Sequence, residues 1–292
     1  MISKVLIIRS GGILCYSKTI FGHELIDDDF VSGFLTTFLN IAQKIGGGEI
    51  RSLNFRNFNI TYSYDEEKFC IFILIADIND LEQELMENLE LLKNEFIKRY
   101  RYDLINWDSD ISKFDEFDDF VEKNIFIPPK ILLVGEESVG KTTIMDLFPG
   151  DTILELDNDM NESIQKTIFL HNNERIIACV LKEINLQDIL DNPTIYKQAL
   201  DSATIICIVT NSGASNLTRT KRLLSLLKPN VTKSLFYVIA NFQDLQNASF
   251  DPEQVEKFFD LKTYSFSAIS KNAKEKAVSL FKEMLDDSRV RV

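Results

Sequence analysis

Histidine is almost missing from this chain of 292 residues: only His23 and His171 occur, so a metal centre built on imidazole is not expected. Cysteine is nearly as scarce. Cys15, Cys70, Cys179 and Cys207 lie far apart in apolar segments and form no C-x-x-C pair, which predicts reduced core residues of a cytoplasmic protein rather than disulfides or metal ligands. Positive charge is in deficit. Lys and Arg number 32 against 45 Asp and Glu, a formal net charge of -13. Non-specific nucleic-acid binding needs a basic face, and docking on an anionic leaflet needs the same, so neither is expected. No apolar run is long enough to span a bilayer. The start, Met1-Ile-Ser-Lys-Val-Leu, lacks the plan of a signal peptide. Ile2 excludes N-myristoylation, and Ser288-Arg-Val-Arg-Val292 offers no cysteine for prenylation. Any membrane association is therefore expected to be peripheral at most. Tryptophan occurs once, whereas the 22 Phe are expected as core filler. Proline is rare as well, with 6 in the chain, which makes the adjacent Pro128-Pro129 conspicuous.

What is present suits a globular protein. Hydrophobic residues make up 45% of the chain, enough to bury proper cores. The Ile127-Pro128-Pro129 step stiffens the chain and forbids a continuing helix, so it predicts a short linker at 126–129 between domains at 1–125 and 130–292. In the first domain, Lys4 to Arg9 and Ile13 to Ser17 read as two strands around a Gly11-Gly12 turn. Asp27-Asp-Asp29 reads as a helix start, Phe30, Phe34, Phe38 and Ile41 recur at helical spacing, and Gly46-Gly-Gly48 ends that helix. Ile50 to Phe55, Phe58 to Tyr64 and Phe69 to Ala76 follow as strands. Helices are predicted over Ile78 to Tyr102, with Leu81, Leu85, Leu89, Leu92 and Phe96 in one stripe, and over about Ile111 to Lys123. A meander sheet covered by helices on one face satisfies this α+β order. Residues 1–125 carry 23 acidic and 13 basic side chains, so most of the negative charge sits there. That surplus serves as a solvated face or as a docking surface for a basic partner.

The second domain alternates strands and helices, which predicts a doubly wound, mostly parallel α/β sheet with its ligand crevice at the carboxyl ends of the strands. Its opening is the most informative stretch of the chain. Lys130 to Val134 is a buried-strand signal. Gly135-Glu-Glu-Ser-Val-Gly-Lys141-Thr142 then fits the phosphate-loop pattern G-x-x-x-x-G-K-[ST], and a helix-like run follows. Gly135 and Gly140 allow a tight turn and close backbone approach. The amides of Glu137, Ser138, Val139, Gly140 and Thr143 are placed to form a nest around phosphate oxygens. Lys141 is expected to reach the terminal phosphates, and the Thr142 hydroxyl to bind Mg²⁺.

Two later segments bear on which base is taken. Asn241-Phe242-Gln243-Asp244 follows a strand and is similar to the N-K-x-D motif of Ras-type GTPases, with Phe242 in place of the lysine. Ser265-Phe266-Ser267-Ala268-Ile269 resembles their S-A-K loop. With the phosphate loop, these residues give the second domain a resemblance to the small Ras-superfamily (Ras/Rab/Arf-like) P-loop GTPases over about 160 residues. The resemblance implies GTP or GDP with Mg²⁺ as ligands, Asp244 as the guanine-reading carboxylate, and backbone N–H recognition of the base at 267–269; where the family has lysine, the Phe242 ring can still cover one face of the base by stacking. The first domain resembles the longin (longin/roadblock, profilin-like) module of trafficking proteins. That resemblance implies protein partners, a possible homodimer and a role in vesicle- or membrane-related regulation.

The family's D-x-x-G motif departs furthest. Its counterpart here is Glu183-Ile-Asn-Leu186, with a longer carboxylate as the metal-side group and a β-carbon where glycine is expected; Gln187 stands at the water-positioning place. Thr152 and Thr167 are both candidates for the threonine that closes on Mg²⁺, Thr167 fitting the spacing better. Retained binding with slow or partner-dependent hydrolysis is therefore expected. A non-hydrolysing scaffold with a degenerate G domain is the alternative, and a P-loop ATPase or kinase a third reading.

Overall fold

The computed structural model describes residues 1–9, 11–20, 31–38, 52–56, 58–65, 67, 70–156, 162–172, 175–245 and 249–289. Two compact units emerge, Met1–Ile127 and Pro128–Ser288, divided within the Ile127-Pro128-Pro129 segment. All four cysteines are buried free thiols. Among the described residues, no helix is long and apolar enough to cross a membrane.

The first unit is built on an antiparallel sheet. Its strands are β1 (Ile2–Arg9), β2 (Ile13–Thr19), β3 (Ser52–Asn54), β4 (Phe58–Tyr64) and β5 (Cys70–Asp77), in the order β2-β1-β5-β4-β3. Gly11 and Gly12 form the β1–β2 turn at φ 106° and 90°, a region that favours glycine. Helices cover both faces, not one. Val5, Ile7, Phe72 and Leu74 pack against α2 (Glu82–Ile105) and against Phe114, Phe117 and Val121 of the 3-10 segment Ile111–Phe117 and α3 (Asp118–Asn124). On the other face Leu6, Ile8, Ile71, Ile73 and Ile75 meet Val31 and Leu35 of a helix at 31–38, here α1. The reason is legible in β5: Cys70-Ile-Phe-Ile-Leu-Ile-Ala is a continuous apolar run, and all eight residues of the strand are buried. The expected helix start at 27–29 and the Gly46–48 stop lie outside the described residues.

The second unit is α/β, with a mixed sheet ordered β12-β11-β10-β6-β9-β8-β7. β6 (Lys130–Gly135), β9 (Arg175–Asn185), β10 (Ile205–Thr210), β11 (Leu235–Ala240) and β12 (Thr263–Ser265) are parallel. β7 (Thr152–Leu156) and β8 (Glu162–Asn172) run antiparallel beside β9. On one face Leu132, Val134, Ile184, Ile206, Ile208 and Val238 pack against α5 (Leu186–Asp191), α6 (Pro193–Asp201), α7 (Ala214–Leu227) and α8 (Pro252–Phe259). The opposite face takes α9 (Ala273–Arg289): Met284 Sδ lies 3.4 Å from Cys207 Sγ, and Phe281 packs on Phe148 just after α4 (Lys141–Asp146). Strands buried on both faces must be apolar throughout, and all six residues of β10 are buried. This layering leaves the loops after β6, β10, β11 and β12 together at one edge of the sheet.

Candidate functional site

The loop between β6 and α4 owes its path to its two glycines. A β-carbon on Gly135 would stand 2.4 Å from the Val209 carbonyl of β10. Gly140 adopts φ 95°, and a β-carbon there would stand 2.3 Å from Asn241 Nδ2. Neither position tolerates a side chain. Ser138 between them is also left-handed, at φ 59°. Lys141 then opens α4 and folds back over the loop, with Nζ donating to the carbonyls of Gly135 at 3.2 Å and Glu136 at 2.8 Å. Only 8% of Lys141 is exposed, and burial holds its pKa below the usual lysine value, against the pull of Glu183, Asp188, Glu137 and Glu136. Thr143, the third residue of α4, is exposed.

Thr142 and Glu183 meet although they are far apart in the chain. Parallel pairing of β6 with β9 sets Glu183 beside Leu133, and the Thr142 hydroxyl donates to Glu183 Oε1 at 3.1 Å. Among the described residues, Glu183 Oε2 is buried with no hydrogen-bond partner. An orphaned carboxylate oxygen next to a threonine hydroxyl suits a hard divalent cation such as Mg²⁺, which takes one or two protein oxygens and fills its shell with phosphate oxygens and water. Among the described residues no group of three or more His, Cys, Asp or Glu could hold a metal with protein ligands alone.

The loops after β11 and β12 converge on the same edge. Asn241 is 2% exposed; its Nδ2 donates to the Val139 carbonyl at 3.0 Å, and its Oδ1 accepts from the Ala268 N–H at 3.1 Å. One amide thus ties together the Gly135–Thr142 segment, the end of β11 and the loop after β12. Asp244 is exposed, and its Oδ1 accepts from the Ser267 hydroxyl at 2.7 Å. Phe242, at φ 62°, brings its ring edge within 3.9 Å of the point a Gly140 β-carbon would occupy. Ile269 is 76% exposed.

Three expected residues, Thr167, Thr152 and Gln187, are engaged elsewhere. Thr167 is locked in the β8–β9 ladder opposite Val180, three residues back from Glu183, a separation of about 10 Å. Its neighbour Lys166 points inward and caps α4, Nζ donating to the carbonyl of Phe148 at 3.0 Å. Thr152 pairs with Lys166 in β7, a strand not expected from the sequence. Gln187 lies on the exposed side of α5, and its amide donates to Asp191 Oδ1 at 2.9 Å. Leu186, at the glycine place of the motif, is fully buried in the core under α5, and Asn185 caps that helix by accepting from the Gln187 N–H.

The sequence reading also missed residues that matter here. Asn216 of α7 donates to Glu136 Oε2 at 2.6 Å, and Arg219 Nε pairs with Glu136 Oε1 at 2.7 Å. No local signal links residues so far apart. Asp188 is a second omission: it is close enough to interact with both Lys141 and Glu137. Burial raises its pKa above the usual carboxylate value, with Asp191 and Glu137 adding to the shift and Lys141 opposing it. A carboxyl whose folded pKa is raised costs stability when ionised, and the cost is relieved as pH falls through the raised pKa. Asp188→Asn is therefore expected to raise the melting temperature of the second unit slightly near pH 7, the gain shrinking toward about pH 4. Thermal melts at both pH values check this; a gain independent of pH contradicts it.

Compared with known proteins, the chain matches no family model and no curated protein.

Proposed function

We propose that Pro128–Ser288 binds a guanine nucleotide together with Mg²⁺ as a small-GTPase-like switch, and that Met1–Ile127 is a longin-like platform for protein partners in a cytoplasmic, trafficking-related role. The observation that carries this reading is the Asn241 amide, which joins the Gly135–Thr142 loop to the Ala268 loop, beside an Asp244 steadied by Ser267. Three segments scattered over more than a hundred residues thereby form one rim. A structural turn at the end of a strand needs no such joint.

In this reading each group has a separate task. The amides of Glu137 to Thr143 surround the phosphates, and Lys141 turns from the loop carbonyls toward them. Thr142 and Glu183 hold Mg²⁺, whose charge offsets that of the phosphates and of the nearby carboxylates. Asp244 accepts from the base, Phe242 covers a face of it, and the Ile269 N–H, which makes no hydrogen bond among the described residues, is available to its carbonyl. Adenine presents the wrong edge to Asp244.

Substituting Asp244 tests the reading. Losing one or two charge-assisted hydrogen bonds costs about 2–3 kcal/mol, so Asp244→Ala is expected to weaken GDP roughly 30- to 160-fold while the fold persists, since the side chain is exposed. Titration calorimetry measures this, and unchanged GDP affinity contradicts it.

A second reading has its own support. Leu186 is committed to the core and Gln187 to Asp191, so neither is placed to act at a γ-phosphate. These two residues favour slow or partner-dependent hydrolysis, and they equally suit a non-hydrolysing scaffold that binds nucleotide for stability.

A further inference from the structure

α7 is electrostatically unlike the rest of the chain. In a protein of net charge -13, Ala214–Leu227 holds Arg219, Lys221 and Arg222 with no carboxylate, and Lys228 follows. Helical spacing places Arg219, Arg222 and Leu226 on one exposed stripe. Arg219 is 68% exposed and Leu226 55% exposed. Arg219 also reaches inward. Its Nε is the cationic partner of Glu136, a phosphate-loop residue whose side chain is only 12% exposed. One guanidinium therefore belongs both to an outer surface and to the loop.

We propose that the α7 stripe docks an acidic protein segment, and that its occupation is transmitted to the loop through Arg219 and Glu136. The transmission rests on the nucleotide reading; the docking does not. Two guanidinium groups about one turn apart match successive carboxylates in bidentate fashion. Leu226 supplies an apolar contact next to them. The stripe carries no aromatic side chain on which bases could stack, which disfavours nucleic acid, and a single exposed leucine gives little insertion into a bilayer. A partner carboxylate on the exposed edge of Arg219 competes with Glu136. Glu136 then keeps less counter-charge beside Lys141 and the phosphates, and nucleotide is held less tightly.

The test uses the full chain, a labelled glutamate- and leucine-rich peptide, a lysine- and leucine-rich control, anionic phosphatidylserine vesicles, and fluorescent GDP. The acidic peptide is expected to bind in a salt-sensitive way, to lose about tenfold in affinity with Arg219→Glu plus Arg222→Glu, and to speed GDP release several-fold. Glu136→Gln is expected to keep peptide binding and abolish that acceleration. Circular dichroism melts confirm that each variant is folded. Peptide binding that survives the double substitution overturns the proposal, as does equal binding of the control peptide. Capture by vesicles in place of the peptide, or acceleration that persists in Glu136→Gln, also overturns it. If GDP fails to bind the unmodified protein, the nucleotide reading fails and the transmission with it, while the peptide arm still decides the docking.

Discussion

Gly140→Ala is expected to abolish nucleotide binding and to lower the melting temperature of the second unit by roughly 10 °C. The backbone at φ 95° strains any residue with a β-carbon, at about 1–3 kcal/mol. The new methyl would also overlap Asn241 Nδ2, 2.3 Å from its ideal position. Asn241 cannot retreat cheaply, because it is buried and bonded to Val139 and Ala268. Displacing it leaves a buried carbonyl and a buried N–H without partners, each costing about 1–3 kcal/mol. Together these terms come to about 3–9 kcal/mol, and the lower part of that range already converts to roughly 10 °C for a unit of this size. Binding is lost for a different reason: the loop opens from the rim that carries Asp244. Calorimetric melts and GDP titration measure the two effects separately. A variant that melts like the parent, or that still binds GDP normally, contradicts this account of the loop.

Leu186→Gly has the second-largest expected effect, and it acts on the core. On sequence alone this change restores the missing glycine of the D-x-x-G pattern. In the folded protein Leu186 is fully buried, in the same core as Ile189, Leu200 and Leu217 under α5–α7. Removing it opens a cavity at about 3–4 kcal/mol, most of it the transfer and cavity cost of a buried leucine. The variant is expected to melt well below the parent. The parent itself is expected to hydrolyse GTP slowly in single-turnover assays, since Gln187 is engaged with Asp191. A parent rate typical of an active GTPase that is unaltered by Leu186→Gly would contradict the slow-hydrolysis reading; a variant as stable as the parent would contradict the packing argument.

The parts of the fold legible in the sequence are those where one physical signal suffices. Lys130 to Val134 is apolar and followed by a glycine loop, and it forms β6 with Gly135 at its end. Asn241 and Asp244 follow an apolar strand, and they sit on the edge shared with the Gly135–Thr142 loop because parallel strands bring their carboxyl ends together. What was not legible depended on pairing. Thr152–Leu156 carries a glutamate among its apolar residues and follows Pro149-Gly150, so β7 is defined by its ladder with β8 rather than by its own pattern. α5 was hidden because Glu183 to Gln187 read as a motif ending in a loop, whereas Asn185 caps a helix there. The helix at 31–38 follows from its own spacing, but its place on the second face of the first unit does not, because a continuous apolar strand does not say what covers it. The Glu136–Asn216–Arg219 link joins positions some eighty residues apart, and no local pattern marks it.

The most direct measurement is side-by-side calorimetry of GTP, GDP, ATP and ADP on the full chain with Mg²⁺ present. Adenine offers Asp244 no matching pair of donors, a loss of about 2–3 kcal/mol, so the guanine nucleotides are expected to bind roughly 100-fold more tightly than the adenine nucleotides. Equal affinity for the two purines, or no binding of either, would contradict the assignment of Asp244 and the Gly135–Thr142 loop as one site.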